Sequence, residues 1–442
     1  TTAANGLHRN AREMRIRRGS RQWMCLQPLG RNCVGHTRRV MGGSSSGSAS
    51  EEDEWKKTPE LSRQELLALN PFELPNFSCQ KIRYMAIFDT ERWYPELAHV
   101  TFPTEHVPIA WEEGLAIIHY FQEGCCKQRG KITRDDERQL DSLKQKIKRL
   151  FVRLEPRCPE RAFFVRLGPR SPKDAPMMVS EPWGISEERI RRALLEAGMP
   201  SEKNARTLLQ LFQSVCCSLL RASSPEDALA LLVSSSRVMQ DISRTMQHGR
   251  PGWDVNLVVR VWESKVSLDR EFRTFVVGGS IAAISQYDDQ LRYDFVPAHL
   301  ESVVEAVLRC LDRARPGLER LGLATPTSAV VVDFALLPGC DDAPWEACLI
   351  ELNPFGPMTG ASLFTWTHDR RLLQRGKDVF GDLEACELQH PPGQWQPPPW
   401  IREEVVCGVP FRFVSEHPPK LSMDQLEVFW PDYVRLLPPC LQ

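Results

Sequence analysis

Two apolar runs in the last third of the chain, Ala329-Val330-Val331-Val332-Asp333-Phe334-Ala335-Leu336-Leu337 and Ala347-Cys348-Leu349-Ile350-Glu351-Leu352-Asn353, decide how the rest is read. Aliphatic and β-branched residues fill both, and Pro338-Gly339 lies between them, so they read as buried strands flanking a turn. Alternation along a strand places Glu351 and Asn353 on one face. An antiparallel pairing through the 338–346 turn lets Asp333 face them. Two carboxylates and an amide oxygen converging there form a hard-oxygen set suited to Mg²⁺, which keeps some of its water and recruits phosphate oxygens. A single acid near a strand end is ordinarily just solvated; three such groups inside otherwise apolar strands call for a shared partner.

Working outward, the segments 256–262, 271–277 and 280–285 are β-branched and aromatic, and Gly278-Gly279 marks a hairpin turn between the last two. A helix is expected over about 298–315. Arginines interrupt the apolar strands: Arg166 in FFVRL, Arg260 in LVVRVW, Arg273 in EFRTFV. A charge facing a core needs an anionic partner, so these cations suit a phosphate group. Each taken singly would equally suit a sheet-edge ion pair with a neighbouring Glu or Asp. The loop 168–175 after the strand 162–167 adds Lys173; it lacks the glycine spacing of a Walker A loop. Upstream, Leu140, Leu143, Ile147 and Leu150 recur at helical spacing among Lys and Arg. Two helices are expected within 186–221, and Ser224-Pro225-Glu226-Asp227 opens another with a capping box.

The chain has 442 residues, with 56 Lys and Arg against 57 Asp and Glu. That balance excludes nucleic-acid binding driven by overall charge. No stretch approaches the ~18 apolar residues of a membrane span. Fourteen cysteines occur without C-x-x-C or zinc-finger spacing, and reduced thiols are expected. Residues 1–40 hold nine arginines and one acid, Glu13, ahead of a Gly/Ser stretch and the acidic run 51–54. An Arg-rich, acid-poor start resembles a transit peptide, and Met41-Gly42 fits a myristoylation pattern. The preferred reading is a disordered extension over 1–60, with Met41 as a start and the Gly/Ser stretch as a linker. A short helix is expected around 61–69, with ordered structure beginning in earnest near Phe77.

The string Ile350-Glu351-Leu352-Asn353-Pro354-Phe355-Gly356 resembles the closing metal-binding strand of ATP-grasp proteins. Its continuation through Leu363-Phe364-Thr365-Trp366 is similar to the cell division cycle protein 123 family. Trp93-Tyr94-Pro95, the segment FVRLGPRSPKDA (164–175), LVVRVW, EFRTFV and IAAISQYD (281–288) resemble that family's blocks in the same order. The resemblance covers roughly 77–175 and 224–370. It implies an α+β ATP-grasp fold, two α+β lobes enclosing a nucleotide cleft, with ATP and Mg²⁺ as cofactors. By position it makes Asp333, Glu351 and Asn353 magnesium ligands. Arg166, Gly168, Lys173, Asp174 and Arg273 fall on the phosphate side, and Arg260, Val261 and Trp262 along the adenine hinge. No catalytic residue is assigned.

The implied function is an assembly chaperone for eukaryotic translation initiation factor 2. It would be a cytoplasmic monomer docking on the gamma subunit, with neither nucleic acid nor membrane as partner. The alternative is an ATP-grasp ligase joining a carboxylate to an amine through an acyl phosphate; a third is a scaffold that has lost nucleotide binding. The chain departs from the family in carrying Arg166 where Lys is usual, in a helical insertion at 177–221, and in a basic helix around 144–153 in place of an acidic stretch. Expected boundaries are a first lobe with the N-terminal region at 61–255, a second lobe with the metal site at 256–375, and a Pro-rich extension at 376–442.

Overall fold

The computed structural model describes residues 55–75, 78–126, 132–177, 179–198, 200, 204–339, 345–377, 379–380, 396–417 and 422–438. The Arg-rich start, the Gly/Ser stretch, Met41 and Phe77 lie outside these. The chain is α+β, built on two sheets. Strands β1 (Thr104–Pro108), β2 (Phe163–Leu167), β3 (Arg221–Ala222) and β4 (Asn256–Val261) make the smaller one, in the order β1-β4-β2-β3. Strands β5 (Glu271–Val277), β6 (Ser280–Gln286), β7 (Ala329–Pro338), β8 (Trp345–Pro354), β9 (Ile401–Val406) and β10 (Val409–Val414) make the larger, ordered β8-β7-β5-β6-β10-β9. These two α+β lobes agree with the architecture the sequence led us to expect.

Each expected strand from 256 to 352 is present within a few residues, and the reason is burial. Along β7, Val330, Val332, Phe334 and Leu336 enter one core with Phe272 and Phe411. Val331 enters another on the opposite face, with Phe275, Phe355 and Phe364. Both faces are covered, so the strand reads as a continuous apolar run. Gly278 and Gly279 have φ of 59° and 70°, the left-handed pair of a two-residue hairpin turn that side chains disfavour. Helices α1 (Thr90–Leu97) and α8 (Leu300–Arg320) cover the first face with Trp93, Leu97, Val303 and Val307. Burying one such aliphatic side chain contributes roughly 1.5–3 kcal/mol.

The smaller sheet is packed by α2 (Trp111–Gly124), α3 (Arg134–Leu154), α4 (Glu187–Ala197), α5 (Ala205–Leu219), α6 (Pro225–Ser234) and α7 (Ser236–Gln247). In α3, Leu143 and Ile147 are fully buried, as the helical spacing requires. The Ser224–Asp227 capping box opens α6. The insertion expected at 177–221 contributes α4 and α5, and it is no appendage: Ile190, Leu194, Leu208, Phe212 and Val215 belong to the first-lobe core.

Within 376–442, the segment expected to be a Pro-rich extension, the described residues are divided between the lobes. Strands β9 and β10 complete the larger sheet, β10 pairing parallel with β6. Helices α9 (Met423–Phe429) and α10 (Pro431–Leu436) set Trp430 and Tyr433 against Phe212. The segment 84–100 also reaches across, joining the core of the larger sheet although it precedes the whole of the smaller one. Among the described residues no helix is long and apolar enough to cross a membrane, and the nine cysteines are free thiols.

Candidate functional site

Strand β7 carries Asp333 between apolar neighbours, and register fixes what it meets. Asp333 lies opposite Arg273 on β5 and opposite Glu351 on β8. Arg273 donates from Nε to Asp333 Oδ1 at 2.8 Å and from Nη2 to Oδ2 at 2.7 Å, a two-pronged ion pair with both side chains buried. Its Nη1 reaches the Gly360 carbonyl. Burial works against the Arg273 charge, but Asp333 more than offsets it and holds the guanidinium above its ordinary pKa. Asn353, one alternation beyond Glu351, donates from Nδ2 to Asp333 Oδ2 at 3.0 Å. Asp333, Glu351 and Asn353 thus gather as the strand pattern requires.

The first lobe faces this wall with β2. Arg166, buried in the smaller sheet, donates from Nη1 to Glu351 Oε2 at 2.7 Å, bridging the lobes. Burial pushes the Glu351 carboxyl up, yet Arg166 and Lys173 outweigh it and hold it well below the usual carboxylate range. Lys173 sits 4.7 Å from the ring centroid of Tyr287, with its Nζ 3.4 Å from the phenol oxygen. Arg273 stands 4.9 Å from the same ring. Tyr287 therefore holds two cations at once. Despite burial, Tyr287, Glu271 and Glu351 keep Lys173 charged above its ordinary pKa. Three cations, Arg166, Lys173 and Arg273, meet three acids, Glu271, Asp333 and Glu351, at one junction.

The remaining expected residues sit elsewhere in the same neighbourhood. Asp174 turns away: its carboxylate accepts from the Ser235 and Ser236 hydroxyls and the Arg237 N–H, pinning the loop to the start of α7. Gly168 packs against an acid, since a Cβ there would meet Glu91 Oε2 at 2.5 Å. The backbone N–H groups of Val261 and Trp262 donate to Pro103 O and Ala162 O, both at 2.9 Å. The Arg260 side chain runs to Thr104, Thr101 and the Ile350 carbonyl. Burial and the nearby Arg166 push Arg260 down to about 10.

Sequence reading missed Glu271 and Tyr287. Glu271 is two residues before Arg273 on the same face of β5, so the alternation that singled out the arginine also placed the acid. Burial pushes the Glu271 carboxyl up. Tyr287 directly follows β6, at the end of IAAISQYD. Beside them Asp288 accepts from the Tyr293 hydroxyl at 2.6 Å, and burial with Asp288 pushes Asp289 up to about 7.

Among the described residues no three His, Cys, Asp or Glu side chains cage a metal by themselves. The set available to a hard cation is the two carboxylates and the Asn353 amide oxygen, whose NH₂ is spent on Asp333. That chemistry suits Mg²⁺, which takes one or two carboxylates and completes its shell from phosphate and water.

Residues 214–389 match the model of the D123 family. The translation initiation factor eIF2 assembly protein of Xenopus laevis is 28% identical over 172 residues, 38% of this chain and 46% of that one. Its Danio rerio counterpart is 26% identical over 181 residues, 40% and 47% of the two chains. The chain thus spans just under half the length of these curated relatives. The solved structure of Cdc123 from Schizosaccharomyces pombe matches at 20% identity and a TM-score of 0.41, covering 64% of this chain and 89% of that one.

Proposed function

We propose that this chain, whose residues 214–389 match the model of the D123 family, is an ATP- and Mg²⁺-binding assembly chaperone for the translation initiation factor eIF2 complex. It acts in the cytoplasm as a monomer and docks on the gamma subunit. The observation that carries the nucleotide half of the reading is the junction itself. Arg166 and Arg273, from different lobes, are each buried against a carboxylate, Glu351 and Asp333, while Lys173 stands beside them on Tyr287. The partner half rests on the family match and on relatives whose names describe eIF2 assembly.

The donor set fits Mg–ATP in kind: three cations for a phosphate chain, and hard oxygens from Asp333, Glu351 and Asn353 for the metal. Bound there, Mg–ATP would supply a charge bridge between the lobes. The chain's own part is an exchange of partners. Arg166 and Arg273 keep the two carboxylates compensated, so neither charge is left buried alone. Arg166 and Arg273 would hold phosphate oxygens, and Asp333, Glu351 and Asn353 would hold the metal. Tyr287 keeps Lys173 and Arg273 on one ring, so these cations act together. Arg166 bridges the lobes through Glu351, so a ligand that drew it away would couple occupancy to the lobe angle, the property a clamp for a protein client needs.

The test is capture of purified eIF2 gamma subunit by the full chain, with and without Mg–ATP. Nucleotide-strengthened capture is expected. No capture in either condition contradicts the partner assignment. Steady ATP turnover dependent on an added carboxylate and amine contradicts the chaperone reading in favour of a ligase.

A further inference from the structure

We propose that Arg260 is a positioning residue for the metal side of the junction: it grips the bulged carbonyl of Ile350 and so sets where the next residue, Glu351, points. The inference rests on the Mg–ATP reading above. Arg260 lies on β4, along the expected adenine hinge, where a contact to the nucleotide base would be the simple expectation, but its side chain is spent on Thr104 and Thr101 and reaches across to the Ile350 carbonyl.

The argument begins with register. Asp333 pairs with Glu351 and Phe334 with Leu349, so Ile350 is an extra residue with no partner on β7. Such a bulge re-aims the side chains beside it and leaves its own polar groups needing partners. β8 is also the edge of its sheet, so β5 and β7 offer it nothing further. The first lobe supplies what is missing. Thr101 Oγ1 donates to the Leu349 carbonyl at 2.6 Å, and Arg260 Nη1 donates to the Ile350 carbonyl.

The rest of the guanidinium is also spoken for. Nε donates to Thr104 Oγ1 and Nη2 to Thr101 Oγ1, both at 3.1 Å. Trp93 and Phe102 present rings at 5.4 and 5.8 Å. Arg260 is 3% exposed, and no carboxylate among the described residues lies within ion-pair distance of it. A buried cation is costly without compensation; here the offset is a fork that spans three acceptors, which a lysine ammonium does not span. Arg260 shares its sheet face with Arg166, because Phe164 lies opposite Arg260 and Arg166 opposite Val258. One face therefore grips two successive residues of β8: Arg260 holds the backbone of Ile350, and Arg166 holds the carboxylate of Glu351.

The test compares the full chain with Arg260→Lys and Thr101→Val. ATP affinity is measured calorimetrically in excess Mg²⁺ and in EDTA, and amide exchange of residues 345–354 is followed without nucleotide. Arg260→Lys is expected to speed exchange in that segment and to cut the Mg²⁺ enhancement of affinity by about 10–100-fold, as loss of a group orienting a metal ligand does, with affinity in EDTA within about two-fold. Thr101→Val moves both readouts the same way by less, and covers the case in which Arg260→Lys does not fold. Equal losses with and without Mg²⁺ would assign Arg260 to the nucleotide base and overturn the inference. Faster exchange with an unchanged Mg²⁺ enhancement would reduce Arg260 to a structural tie and overturn it too. A parent chain with no Mg²⁺-dependent affinity overturns the Mg–ATP reading, and this inference falls with it.

Discussion

On the second-lobe wall of the junction the buried charges stand opposite their counter-charges: Arg273 forks onto Asp333, and Glu351 receives Arg166. Behind Gly168, on the first-lobe side, the same residue types are arranged otherwise. Asp89, Glu91 and Asp241 lie close enough that Glu91 and Asp241, after burial itself, raise the Asp89 carboxyl well above its ordinary pKa. Asp241 meets Arg170 at 2.9 Å, but Glu91 Oε2 has no donor. The Asp89 side chain makes no hydrogen bond among the described residues, although it precedes the first turn of α1. Composition does not separate these walls; partners do. One is a set of directly paired charges; in the other, Asp89 and one Glu91 oxygen lack a direct donor, and burial there favours protonation.

Breaking the compensated wall should produce the largest effect. Asp333→Ala leaves Arg273 buried without its counter-charge, so chemical denaturation should show a loss of about 3–5 kcal/mol. A double-mutant cycle with Arg273→Met should recover much of that loss; additive effects would mean the two side chains act independently. Next comes the seam between the walls. Gly168→Ala drives a methyl group into the Glu91 carboxylate and should cost about 1–3 kcal/mol, with Glu91→Ala relieving it. A neutral Gly168→Ala would show that the loop and α1 separate easily.

The smallest effect runs the other way and sharpens the contrast. A carboxyl whose folded pKa is raised contributes stability below its unfolded pKa and loses it as pH rises through the folded value. At neutral pH an ionised Asp89 therefore works against folding. Asp89→Asn should stabilise the chain by roughly 1 kcal/mol there, in line with relief of an unpartnered buried group. The gain should vanish as melting curves are taken toward the ordinary carboxylate range. A gain independent of pH, or a loss at neutral pH, would mean Asp89 has a partner in solution.

Much of the second lobe was legible in the sequence because each polar residue interrupts an apolar alternation. Arg273, Asp333, Glu351 and Asn353 stand out for that reason, and strand register brings them together. The bulge at Ile350 was not legible, since an extra residue in ACLIELN leaves no mark in composition. The role of Asp174 was hidden because its partners, Ser235 and Ser236, are about sixty residues away and read only as the start of a helix. The C-terminal hairpin was passed over for its prolines. Yet PFRFV carries the same sign as EFRTFV: Arg412, inside an aromatic strand, forks onto Asp369 and lies 4.2 Å from the Phe364 ring. The insertion helices were recognised as helices, but their place in the core depends on Trp430 and Tyr433, more than two hundred residues downstream, which no local pattern reveals.

The central claim, that the junction between the lobes holds Mg–ATP, is tested most directly by calorimetric titration of the chain and of Asn353→Ala with ATP, with and without Mg²⁺. Asn353 is the metal-side residue whose loss leaves both ion pairs, Arg273–Asp333 and Arg166–Glu351, intact. The account predicts binding that Mg²⁺ strengthens in the parent and an Asn353→Ala chain in which that strengthening is lost while the fold survives. Absence of binding by the parent, or binding indifferent to Mg²⁺ and to Asn353→Ala, would contradict it.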